Sequence, residues 1–466
     1  FVVQGNGTGV SVWDVTSPSA PVKQALQNNG NSFSFIAATS QARSFVAFTL
    51  ADAISPSGIT AIENQNIHGS DVPEYVIVSH PDFLPQAQRL AQLHKEHEGL
   101  KTMIVTPEEV YNEFSSGKQD PVAIRQMMRC LRAKSDNPAN PRYLLLFGKG
   151  SFDNRDIQGK GLRTVVTYET SNTFDNDAYP SDDIYGHLDD FAADAFSGNM
   201  SVSIGRLPAS TVEEATHLVD KIDGYMNRRD LSRSDIRGDW RNYVTLLADD
   251  ADPSCPYDTN FASDSETTAK LIKRMYPNFN IDRIYADAYP QQSGADGSYY
   301  PDVNNALNQR MDYGCLLLNY IGHGSSDYIG TERYMQIPDI ERYANTDRLP
   351  FFVTSTCSFG RYDLNEGRCG AEAFVLAKAA GIGIVSAARP IVHLQNFNTK
   401  LCLYSLNPEN SIGDALRQAK NEVSTSHCIA LMGDPALRLS IPKNEVVVTK
   451  INGRPANPET TDSAEV

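Results

Sequence analysis

The feature that most restricts the fold of this chain is a series of short apolar runs, bounded by polar residues and interleaved with amphipathic stretches. Tyr75-Val76-Ile77-Val78 and Tyr143-Leu144-Leu145-Leu146-Phe147 are two of them. Others lie at 101–105, 201–204, 243–247, 281–285, 315–320, 351–354 and 382–386. Such lengths suit strands, and a strand covered on both faces reads as a continuous apolar run rather than an alternating one. Helical spacing occupies 84–97, 121–133, 211–226, 264–275, 302–310, 370–380 and 411–423. The third of these begins at Thr211 with Glu214 three residues on, a capping box. Strands alternating with helices imply an α/β fold whose parallel sheet is covered by helices on both faces.

Residues 1–72 depart from this pattern. They are rich in Ser, Thr and Gly, with Phe33-Ser34-Phe35-Ile36 and Phe45-Val46-Ala47-Phe48 as short strands, and are expected to end an N-terminal β-sandwich domain. Phe1-Val2-Val3-Gln4 reads as part of a strand. The chain is therefore expected to be a fragment or processed product, and any export signal would have been lost with the preceding segment. Two α/β subdomains are expected over 73–235 and 236–442. Over 443–466, Val446-Val447-Val448 and the turn residues Ile451-Asn452-Gly453-Arg454 read as the start of a C-terminal β domain or a tail.

Composition removes several function classes. The 41 basic and 57 acidic residues of the 466 leave a net charge of −16, with no basic footprint to displace counterions from a nucleic acid. No run of about 18 apolar residues exists to form a membrane-spanning helix. The seven cysteines are scattered and include no CxxC pair, which argues against a zinc ribbon or a thioredoxin motif. Cys130, Cys315 and Cys402 sit among apolar or helical neighbours and are expected to be inert thiols.

Two strand ends carry reactive residues. The apolar run Cys315-Leu316-Leu317-Leu318-Asn319-Tyr320-Ile321 leads into Gly322-His323-Gly324, and Phe351-Phe352-Val353-Thr354 leads through Ser355-Thr356 into Cys357-Ser358. In a parallel sheet the carboxyl ends of the strands line one edge, where ligands bind. If the two strands are neighbours, His323 and Cys357 emerge side by side. A thiol attacks as the thiolate, and an adjacent imidazole takes its proton and returns it to the leaving amine. The amides of Cys357 and Gly324 are candidates to bind the developing oxyanion.

Other residues are less pointed. Asp249, Asp250 and Asp252 follow the strand at 243–247 and can reach the same edge to orient the histidine, although acidic turns are commonly just solvated. The loop of Asp175, Asp177, Asp182, Asp183, Asp189 and Asp190 is acidic enough for calcium but lacks the EF-hand pattern. Gly148-Lys149-Gly150 lacks the spacing of a phosphate loop. His94, His97, His393 and His427 are expected to be structural.

The segment Asn319-Tyr320-Ile321-Gly322-His323-Gly324-Ser325, followed by Leu349-Pro350-Phe351 and Cys357, resembles the gingipain family of cysteine peptidases. So do Ser181-Asp182-Asp183-Ile184-Tyr185-Gly186, Ile204-Gly205-Arg206-Leu207-Pro208 and Met432-Gly433-Asp434-Pro435-Ala436-Leu437-Arg438. The resemblance spans about 75–441. It implies a caspase-like catalytic domain of two adjoining parallel-sheet subdomains, followed by an immunoglobulin-like domain. It also implies His323 and Cys357 as the dyad, with Asp250 as the acidic partner among 249–252. An Asp that binds arginine in some members maps near Asp264 in different surroundings, so arginine specificity is not expected. The gingipains bind calcium, which is allowed for here with its ligands unplaced; no cofactor is required and no metal ligands are assigned.

Within the family, Gly148-Lys149-Gly150-Ser151-Phe152-Asp153, Ala248-Asp249-Asp250 and the upstream β region look most like the outer-membrane signal peptidases of type IX secretion in Bacteroidetes. That likeness implies an outward-facing enzyme that removes C-terminal sorting domains from exported proteins. It further implies sortase-type joining of the new terminus to anionic lipopolysaccharide, with other secretion components as partners. A secreted degradative protease is the alternative within the class, and a non-catalytic secretion scaffold is the alternative outside it.

Overall fold

The structure, a computed structural model, describes residues 1–55, 58–170, 178–189, 196, 198–227, 238–251, 260–295, 297–392, 394–423, 426–442, 450–451 and 454–455. Contacts divide the chain into two units, residues 1–65 and 66–466. The first unit holds two three-stranded antiparallel sheets. In one, Ser32–Ser34 lies between Val2–Gln4 and Gln27–Asn28; in the other, Val10–Asp14 lies between Val22–Lys23 and Phe45–Thr49. Val12, Phe33 and Phe35 form its small core.

The second unit is built on one ten-stranded sheet. Its strands in chain order are β1 (Tyr75–Ser79), β2 (Thr102–Val105), β3 (Tyr143–Phe147), β4 (Ser203–Leu207), β5 (Tyr243–Ala248), β6 (Asn280–Tyr285), β7 (Leu317–Ile321), β8 (Phe351–Ser355), β9 (Gly383–Ala387) and β10 (Ile429–Met432). In space they run β6-β5-β7-β8-β9-β10-β4-β3-β1-β2. The apolar runs follow from burial on both faces. Alternate residues of β1 and β3 go to different cores: Tyr75, Ile77, Tyr143 and Leu145 to one, Val76, Val78, Leu144 and Leu146 to the other. The edge strand β6 is more polar and more exposed than the central strands.

The expected parallel sheet is present with one exception. β10 runs antiparallel to β9 and parallel to β4, and so welds β1–β4 and β5–β9 into a single sheet. Its run of four apolar residues is not followed by an amphipathic stretch, which is why the α/β alternation does not reveal it. The strand expected at 201–204 extends to Leu207, because Arg206 interrupts the apolar pattern while being fully buried. Its guanidinium donates bidentately to Asp182 at 2.7 and 2.9 Å.

Helices cover both faces. They include α1 (Leu84–Glu98), α2 (Pro107–Phe114), α3 (Pro121–Ala133), α4 (Val212–Asn227), α5 (Phe261–Met275), α6 (Pro301–Tyr313), α7 (Ile337–Ile340), α8 (Gly370–Leu376), α9 (Gln395–Ser405) and α10 (Ile412–Glu422). The sequence pattern misses α2, α7 and α9. The first two are too short to show periodicity; the third buries Asn398 and Thr399 beside Leu401 and Cys402, which blurs its apolar stripe. The strand expected at 446–448 lies outside the described residues, and Lys450–Ile451 pairs antiparallel with Arg454–Pro455.

Candidate active site

β7 and β8 are adjacent and parallel, with Ile321 paired to Ser355. His323 and Cys357 each lie two residues beyond that pair, so the register brings both to the same carboxyl edge of the sheet. The Gly322 amide donates to the Ser355 carbonyl at 3.2 Å, carrying the pairing past the strand end. Gly324 then packs on the cysteine segment. A Cβ added there would stand 2.4 Å from Thr356 Oγ1 and 3.4 Å from the Cys357 carbonyl oxygen, so only glycine lets the two loops approach this closely. His323 is exposed and Cys357 half-buried.

The histidine loop is held from below by Asp249, at the end of β5. This buried carboxylate accepts the His323 amide at 2.8 Å and the Tyr320 hydroxyl at 3.0 Å, and the same hydroxyl lies 2.8 Å from the His323 carbonyl. Burial pushes the Asp249 carboxyl up to about 7, against the lowering effect of the His323 amide. Gly322 adopts φ +155°, and a Cβ there would fall 2.3 Å from the Asp249 Cβ. Above the loop, the Phe261 ring meets the His323 ring edge-on at 5.5 Å. Asp264 lies one turn further along α5.

The acidic residues divide their work. Asp250 accepts from the hydroxyls of Tyr300 at 3.0 Å and Tyr334 at 3.1 Å, while the bond to the His323 segment belongs to Asp249 and is made to backbone. Asp252 lies outside the described residues. In the acidic loop, Asp182 is paired with Arg206, and Asp183 accepts from Lys420 at 2.6 and 2.7 Å; residues 175, 177 and 190 are outside the described set. Asp249, Asp250 and Glu332 bring carboxylate oxygens within 4.8 Å of one another.

Around Cys357 the chain is laced to the loop that follows β9. Ser358 takes φ +59°, a left-handed conformation that serine pays for, and its amide donates to the Arg389 carbonyl at 3.3 Å. The Gly360 amide donates to Ala387, and Arg389 forms a two-pronged ion pair with Asp363 at 2.9 and 2.6 Å. Cys357 Sγ lies 3.5 Å from the Ile391 amide nitrogen and 3.7 Å from the Ile391 carbonyl oxygen. Sequence reasoning missed Asp363, Arg389, Ile391 and Tyr320, because these partners meet only through the fold. Burial pushes the Cys315 thiol up to about 12 and those of Cys402 and Cys369 well above their ordinary value, as inert core thiols require.

The model of Peptidase family C25 matches residues 68–440. Gingipain R, the Arg-specific cysteine proteinase RgpB of Porphyromonas gingivalis, superimposes with a TM-score of 0.60 at 17% identity, over 82% of this chain and 81% of its own. Dimeric latent PorU from Porphyromonas gingivalis superimposes with a TM-score of 0.56 at 22% identity, over 98% of this chain and 39% of its own. The search of curated proteins gave no match. The fold shared with these structures is the caspase-like α/β catalytic domain of the gingipains. The match over residues 68–440 places this chain in Peptidase family C25, the gingipain family of cysteine peptidases.

Proposed function

We propose that Cys357 is the nucleophile and His323 the acid/base of a type IX secretion signal peptidase, which removes C-terminal sorting domains and passes the new terminus to an amine acceptor. The observation that carries the dyad is its register, two residues past the paired Ile321 and Ser355. The finer reading is supported by the sequence motifs around Gly148 and Asp249, and by the extent of overlap. PorU covers 98% of this chain, the N-terminal β unit included, against 82% for gingipain R.

The thiol proton passes to the His323 imidazole, and the thiolate attacks the scissile carbonyl. The amides of Cys357 and Gly324 take up the oxyanion; Gly324 faces Ile329 as a non-bonded pair, so its amide turns away from that ladder. The imidazolium returns the proton to the leaving amine, which departs with the sorting domain. Water resolves the thioester to a free acid, whereas an amine resolves it to an amide, as in joining to anionic lipopolysaccharide. Asp249 fixes the His323 peptide, and Asp250 supports the site through Tyr300 and Tyr334. On this reading the enzyme works at the outer-membrane surface beside other secretion components.

The test is to incubate a cargo protein carrying a sorting domain with the full chain and glycine methyl ester, and to weigh the products. Release of the domain with the ester on the new C-terminus supports the proposal. Degradation of unrelated denatured protein with the sorting junction intact favours the degradative alternative. No cleavage of either kind, with Cys357 left unlabelled by substrate-derived inhibitors, favours the scaffold.

A further inference from the structure

The sulfur of Cys357 meets both polar groups of one residue, the N–H and the C=O of Ile391. Both groups lie within reach of the same sulfur, so a single atom addresses both. They suit different protonation states. A neutral thiol donates its hydrogen to the carbonyl at 3.7 Å. A thiolate has no hydrogen to give and accepts the amide at 3.5 Å, in a charge-assisted bond.

The Ile391 peptide is not placed by chance. Two residues earlier, Arg389 is clamped by Asp363, an ion pair with side chains only 12% and 2% exposed, and its Nε donates to the Ala178 carbonyl at 2.8 Å. Asp363 lies on the nucleophile turn, six residues after Cys357. The pair, with the Ser358–Arg389 and Gly360–Ala387 bonds, therefore sets the distance between the sulfur and the Ile391 peptide. Position 391 contributes through its backbone, so the residue type there carries no sequence signal.

We propose that the Ile391 amide is a catalytic group that stabilises the Cys357 thiolate, and that Arg389 and Asp363 are positioning residues that hold it there. The inference rests on Cys357 being the nucleophile. When the proton leaves for His323, the sulfur exchanges one partner on Ile391 for the other without moving. The reactive anion thus has its donor in place before substrate arrives, and no reorganisation is spent at the moment of ionisation.

The direct test replaces the Ile391 amide by an ester, which deletes only the N–H. The readouts are the rate of Cys357 alkylation by iodoacetamide at neutral pH and kcat/KM for peptide cleavage. Loss of one charge-assisted bond predicts roughly tenfold or greater slowing of both. Arg389→Lys is expected to slow alkylation less than Arg389→Ala, because lysine keeps one charged donor to Asp363. An ester variant that alkylates and cleaves at the wild-type rate overturns the proposal. If complete alkylation of Cys357 leaves the wild-type activity intact, it is the nucleophile reading that fails, an outcome distinct from the first.

Discussion

Cys357→Ala removes one half-buried sulfur at a strand end, where little apolar packing is lost. We expect peptide cleavage to vanish and stability to change by about 1 kcal/mol or less, read by denaturant unfolding beside the activity assay. Asp249 presents a different balance. Asp249→Ala leaves the Tyr320 hydroxyl and the His323 amide without their shared acceptor. We expect a loss of about 1–3 kcal/mol in stability and a fall in kcat with KM little changed. Asp249→Asn keeps an acceptor oxygen and should recover most of the lost stability; equal damage in both variants would show that the charge matters more than the bond. The carboxyl held at about 7 adds a sign. Its folded value lies above the unfolded 3.8, so protonation favours the native state. The stability it lends is full below pH 3.8 and is lost as pH rises through 7.

Strand ends are where the sequence spoke most clearly. An apolar run stopping at a His between glycines, and another stopping at a Cys, can be seen in the chain because both faces of a central strand are apolar and the change to small polar residues is abrupt. The features that escaped share a physical cause. The far end of β4 carries a buried Arg206 whose partner Asp182 is not in its own run, and α9 hides polar residues that pair elsewhere, as Asn398 does with Asn319 at 2.7 Å. The Arg389–Asp363 clamp was likewise hidden, because its members belong to separate segments that meet only once β9 lies beside β8. Gly322 is the element-scale test. With φ +155° and Asp249 packed beneath it, Gly322→Ala must shift the turn that carries His323. We expect kcat/KM to fall more than tenfold while far-UV circular dichroism keeps its wild-type form; unchanged kinetics would mean that the turn is not held as tightly as its geometry implies.

At the scale of the whole catalytic unit, the ten-stranded sheet depends on its junction at β10, and the loop after β10 is tied to the first strand and helix. Asp434 accepts the Tyr75 hydroxyl at 2.8 Å and lies 2.5 Å from His94 Nε2, while Glu98 lies 2.7 Å from Nδ1. With carboxylates at both ring nitrogens, His94 must donate twice and is an imidazolium. Burial opposes that charge, but Asp434 and Glu98 outweigh it and push the imidazole up to about 10. Because the folded value exceeds the unfolded 6.5, the stabilisation is complete below pH 6.5 and is lost as pH rises through 10. Wild type should therefore lose stability between pH 7 and 9.5 in urea unfolding. His94→Gln, weaker by about 3 kcal/mol at neutral pH, should be much flatter over the same range. The fold that this network holds together serves one chemical claim, that Cys357 carries the acyl group. Its most direct test is to quench a cleavage reaction in acid and weigh the intact protein and its peptides. We predict a thioester adduct of the substrate's N-terminal fragment on Cys357, labile to hydroxylamine and missing in Cys357→Ala. An adduct on any other residue, or cleavage that persists in Cys357→Ala, would contradict it.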